Sequence, residues 1–122
     1  MANKGFVHIE IPATDRAESG KFYEKVFGWE VTPMEDMGYT MFQSGNVGGG
    51  FPNLSADSVV IKKDRVLVYL DSDDIDGDLK KVEAAGGKVV HPKEEIPGWG
   101  WWAGFTDPTG NLLGLYQGMP KS

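Results

Sequence analysis

The sequence predicts an α+β fold of two βαβββ modules, each a strand, a helix and three further strands. Three observations predict it. Stretches of period-two apolar alternation surround two segments with helical spacing and capping residues. The order of strand, cap, helix and glycine stop then recurs 59 residues later, Ile9 falling on Val68, with no gap over the 23 positions to Val31 and Val90. Glycine is also abundant, 17 of 122 residues, where an average usage of about 7% gives roughly nine. Such an excess points to turns and to backbone held close to a neighbour.

Each element has its own reason. Residues 6–11 alternate, Val7, Ile9 and Ile11 on one face and Phe6, His8 and Glu10 on the other, and Pro12 stops the strand. Asp15 sits at a helix N-cap with Glu18 three residues on. Ser19, Phe22, Tyr23, Val26 and Phe27 follow at helical spacing, and Gly28 ends the helix. Strands are expected over Trp29–Met34, Tyr39–Ser44 and Val47–Phe51. The second module repeats this plan. Val66, Val68 and Leu70 alternate, Asp74 caps, and Ile75, Leu79 and Val82 form a stripe that ends at Gly86-Gly87. Lys88–Val90, Trp101–Thr106 and Asn111–Tyr116 read as strands, Pro92–Gly98 as a loop and Asp107–Gly110 as a turn. Module one is expected over about 5–52, a linker over 53–64 and module two over 65–117 of a single domain. In the last strands a shift of 65 lays Gly45-Asn46 on Gly110-Asn111 and Gly49 on Gly114.

Composition excludes several classes. A formal net charge of -6 argues against a nucleic-acid or anionic-membrane binder. No apolar run is long enough to span a bilayer, and no charged-then-apolar leader opens the chain. The sequence has no cysteine, so there is no thiol nucleophile, thiolate zinc site or redox pair, and a reducing, cytoplasmic location is expected. Only His8 and His91 are present, which excludes any mechanism that needs three histidines. The acidic run Asp71, Asp73, Asp74, Asp76 and Asp78 reads as a helix cap and dipole complement, because it lacks the spacing of a calcium loop. Gly48-Gly49-Gly50 is not a phosphate loop, since no Lys-Ser/Thr follows it.

Taken in order, four segments resemble the vicinal oxygen chelate superfamily: His8-Ile9-Glu10-Ile11-Pro12, the run Phe22 to Trp29, Ala85-Gly86-Gly87, and Asp107-Pro108-Thr109-Gly110-Asn111. This is the group of glyoxalases, bleomycin-resistance proteins, fosfomycin-resistance enzymes and extradiol dioxygenases. The resemblance covers nearly the whole chain. It implies the glyoxalase/bleomycin-resistance/dioxygenase fold, in which two modules curl into an open cleft. It also implies metal-ligand slots on the first and last strand of each module, here His8, Gly49, Leu67 and Gly114. Three of those four lack a donor atom, so no cofactor is expected. If a divalent metal binds, its ligands are His8 and Glu10. Dioxygenase chemistry would need both histidines in one pocket, and glyoxalase chemistry would need a carboxylate where Gly114 stands.

The residues left to line the cleft are polar at His8 and Glu10, the catalytic candidates, and otherwise aromatic, apolar or small. Candidate ligand contacts are Arg65, Leu67, Tyr69, Trp99, Trp101, Trp102, Leu112, Gly114, Tyr116 and Gly49. The leading expectation is a binder of a small, aromatic or cationic organic molecule, similar to bleomycin-resistance members, working as a homodimer. The alternative is a metal-dependent glyoxalase-like lyase or isomerase that uses His8 and Glu10. A third, from another class, is an accessory module that regulates a partner protein.

Overall fold

In the computed structural model, residues 4–54, 58 and 60–120 are described. They fall into two compact units, one from His8 to Leu67 and one from Val68 onward that takes in residues 4–7. The α+β class and the repeated module order expected from the sequence are what the structure shows. Of the expected linker, residues 55–57 and 59 lie outside the described residues.

The first module runs β1 (Phe6–Glu10), α1 (Arg16–Phe27), β2 (Glu30–Met34), β3 (Tyr39–Ser44) and β4 (Val47–Phe51), with a short 3-10 turn at Glu35–Met37. Its strand order is β2-β3-β4-β1. The chain returns through α1, so β1 and β4 pair in parallel, with Ile9 beside Gly49 and Glu10 beside Gly50. Asp15 caps α1, its Oδ1 accepting from Glu18 N at 3.1 Å, an interaction worth about 1 kcal/mol. Gly28 ends the helix in the left-handed region, at φ 71, which side chains with a Cβ disfavour. Against α1 the sheet presents a core of Ala13, Phe42 and Phe51, joined by Ile11, Tyr23, Trp29 and Val31. Its rings stack in sequence, Tyr23 on Trp29 at 4.6 Å, Trp29 on Phe42 at 4.7 Å and Phe42 on Phe51 at 5.0 Å between centroids.

The second module runs β5 (Leu67–Asp71), α2 (Ile75–Ala84), β6 (Lys88–Ile96), β7 (Gly100–Thr106) and β8 (Leu112–Gly118). Its strand order is β5-β8-β7-β6. Asp74 caps α2 by accepting from Gly77 N at 3.1 Å. The core beneath α2 is Ile75, Ala103 and Leu115, with Leu70, Leu79, Trp101 and Phe105 packed on it.

Three local expectations are corrected. Of the residues at helical spacing in α1, Tyr23 packs inward, but Phe22, Val26 and Phe27 are 54%, 54% and 62% exposed. The helix turns Gly20 toward the sheet instead, where a Cβ would come within 2.9 Å of Val31 Cγ1. Strand β6 does not end at Val90 but continues through Pro92 to Ile96, with bulges between Val89 and His91 and between His91 and Glu94. Proline is tolerated there because β6 ends the strand order of its module, and on an unpaired edge or at a bulge its missing N–H forfeits no ladder hydrogen bond.

The third correction concerns the last strands. Tyr69 pairs with Gly114 as Glu10 pairs with Gly50. The matching glycines are therefore Gly50 and Gly114, one residue away from the expected pairing with Gly49, and a slip of one residue moves a position to the other face of a strand.

Candidate active site: a tyrosine bridging His8 and Glu10

In the N-terminal unit, alternation puts His8 and Glu10 on the sheet face opposite Phe51 and the α1 core. Register carries Gly50, Met41 and Thr32 onto that same face, through the pairs Glu10–Gly50, Gly50–Met41 and Met41–Thr32. Tyr39 belongs to it too, two residues before Met41 on β3. Its ring lies across Gly50, where any Cβ would collide with it. The missing side chain on β4 lets a β3 tyrosine reach β1.

There Tyr39 joins the two candidate residues. Its hydroxyl donates to Glu10 Oε2 at 2.8 Å and lies 2.9 Å from His8 Nε2. A phenol has one proton to give, and Glu10 takes it, so the network assigns Nε2–H of a neutral His8 as donor to the phenol oxygen. Burial pushes the imidazole down to about 4. Burial and the Glu10 carboxylate push the Tyr39 phenol far above its ordinary value, so it stays protonated. The result is an imidazole–phenol–carboxylate chain, in which the His8 Nε2 proton and the Tyr39 hydroxyl proton both point toward the Glu10 carboxylate.

This donor set does not fit a divalent metal. Such an ion takes four to six donors, and His8 and Glu10 are both bonded to the same phenol. Among the described residues, no group of three or more histidine, aspartate or glutamate side chains is placed to hold an ion.

The family model for the Glyoxalase/Bleomycin resistance protein/Dioxygenase superfamily matches residues 5–115. The chain belongs to that superfamily. Among other superfamily-like chains, the anthracycline biosynthesis protein DnrV of Streptomyces peucetius is 28% identical over 89% of this chain and 45% of its own length. The chain thus spans about half the length of the curated relatives it matches. Two solved structures share its fold: the hypothetical protein BH1468 from Bacillus halodurans, with TM-score 0.72, 14% identity and 96% of both chains covered, and methylmalonyl-CoA epimerase from Mycobacterium tuberculosis, with TM-score 0.68, 17% identity and 98% and 93% covered.

Against the ligand slots implied by the superfamily, Gly49 faces the other way. A Cβ on it would strike the Phe42 ring and the Ile9 carbonyl, on the helix side of the sheet, so it opens no space beside His8. Gly50 takes its place, and it too lacks a donor. Gly114 likewise opens no space, because the Tyr69 ring covers it.

In the C-terminal unit the candidate residues divide by face. Tyr69 is buried and meets Trp102 edge-on at 6.4 Å. Trp102 pairs with Tyr116 across β7 and β8. Trp101 instead packs on the α2 core with the Lys93 ammonium 5.2 Å from its ring, so the expected wall of three tryptophans does not form. Trp99 precedes β7 and is 42% exposed, its carbonyl accepting from the Tyr116 hydroxyl at 2.9 Å. Leu112 starts β8 opposite Thr106. Leu67 and Arg65 belong to the other unit, where Leu67 is buried at the start of β5 and Arg65 is exposed just before it. His91, expected at a strand end, lies inside β6. It stacks on Trp102 at 3.9 Å and bonds Glu94 Oε1 at 2.7 Å.

Sequence reasoning missed Tyr39, Gly50 and His91. Alternation along β3 puts Tyr39 opposite Phe42, which was readable. Its reach across β4 depends on strand register, which was not.

Proposed function

We propose that the protein binds a small organic molecule at the His8–Tyr39–Glu10 face, without a divalent metal. The observation that carries this reading is the half-buried imidazole–phenol–carboxylate chain, whose two ends are the residues expected to meet a ligand. Glu10 supplies an anion for a cationic or polar group, and neutral His8 supplies a polar contact without a charge to neutralise. In the other unit Trp102 and His91, stacked on each other and backed by the buried Tyr69, are a second aromatic group suited to a flat or cationic ligand. A relative named for anthracycline biosynthesis supports testing an aromatic ligand. The metal-dependent lyase or isomerase loses ground, because it needs a third donor that the described residues do not bring to His8 and Glu10.

The test is calorimetric titration with a panel of aromatic cations, aromatic acids and an anthracycline. Saturable binding of one of them, weakened at least about tenfold by Glu10→Gln and unchanged by chelator, is the expected result. Stoichiometric metal that is lost in His8→Ala overturns it, as does a panel with no binder. We propose further that the protein is cytoplasmic, in line with its lack of cysteine, and a homodimer, a reading favoured by exposed apolar side chains such as Phe22 and Val26; sedimentation equilibrium of the wild type and of Phe22→Ser tests the dimer.

A further inference from the structure

Arg16 begins α1 one turn before Gly20, the residue pressed against Val31, and its side chain is only 19% exposed. A guanidinium is always charged and carries five N–H donors. Its nearest anion is Glu35, whose Oε2 lies 3.8 Å from Nη2, beyond hydrogen-bond reach, on a side chain that is 79% exposed. Nη1 is fully buried. Among the described residues it is the one buried side-chain nitrogen or oxygen with no hydrogen-bond partner. Native proteins rarely leave such a donor unsatisfied.

Beside this donor is a cavity of about 260 Å3 between α1 and β2. Ala17, Gly20, Val31 and Pro33 give it an apolar floor, and Lys21 adds a second cation at its rim. Glu24 and Glu35 also stand at the rim, which disfavours a doubly charged ligand. All of this lies on the α1 side of the sheet, opposite the His8–Tyr39–Glu10 face. We propose that this groove binds a small monocarboxylate with a short apolar body. The carboxylate is taken by the Arg16 fork, the match that planar guanidinium geometry favours, and the body lies on Val31 and Pro33. The volume suits a single ring or a short aliphatic chain.

The test is an NMR titration of the full chain with sodium benzoate and sodium propionate, against inorganic phosphate and chloride at matched ionic strength. The expected result is saturable shifts of the Ala17, Gly20 and Val31 amides with a carboxylate, binding at least about tenfold weaker in Arg16→Met. Removing the competing charge with Glu35→Gln, on a side chain that is 79% exposed, strengthens binding about two- to fivefold. The proposal is overturned if neither carboxylate gives saturable shifts at millimolar concentration, if phosphate and chloride act equally, or if Glu35→Gln weakens binding. Should Arg16→Met fail to fold, the Glu35→Gln result decides.

Discussion

At the scale of single residues, the Tyr39 hydroxyl is the atom on which the candidate site turns. Tyr39→Phe keeps the ring over Gly50 but removes the bridge between His8 and Glu10. It should cost about 1–3 kcal/mol in urea unfolding, as expected when partly buried polar groups lose a partner, while circular dichroism stays native. His8 makes stability depend on pH. Its ionisation falls from an ordinary 6.5 to about 4 in the fold, so between those values the unfolded chain binds the proton and the folded chain does not. Stability is therefore full above pH 6.5, declines as pH falls toward 4 and levels off below it, a loss of up to about 3 kcal/mol. Urea midpoints measured across this range should show that slope, and His8→Gln should flatten it. The facing of His8 and Glu10 could be read from alternation alone. Their partner could not, because Tyr39 is 29 residues from Glu10 and only the register of three strands brings them together.

At the scale of elements, caps and stops were legible because each is a local matter of one side chain and one backbone angle. Helix facing was not. The spacing of Phe22, Tyr23, Val26 and Phe27 marks a helix but not its buried side, where Tyr23 packs on the core and Gly20 makes the close approach to Val31. Two substitutions test this facing. Phe22→Ser should leave monomer stability within about 0.5 kcal/mol, as at other exposed sites. Gly20→Ala should be destabilising by about 1 kcal/mol, because its contact with Val31 outweighs the roughly 1 kcal/mol that alanine gives a helix. Thermal unfolding of both, with Val31→Ala added to recover part of the second loss, checks the assignment. Strand β6 carries a similar lesson. Pro92 looked like a terminus, but whether proline ends a strand depends on whether its edge has a neighbour, and no window of sequence contains that fact.

At the scale of the whole molecule, the repeat made the fold readable. Two weak copies of one pattern constrain the topology more than either does alone, and the superfamily match over residues 5–115 agrees with it. Three of the four implied metal slots carry glycine or leucine in the sequence, and it is Gly50 rather than Gly49 that lies on the His8 side of the sheet. Chelator should therefore leave the melting temperature unchanged, and nickel, zinc or manganese should not raise it, as differential scanning calorimetry would show. The two halves share one register and differ in how they fill it. Gly50 and Gly114 match. The rings that cover them do not, since Tyr39 comes from the third strand of its module and Tyr69 from the first strand of the other. The same empty position is thus covered by a tyrosine in both halves, but from a different strand in each.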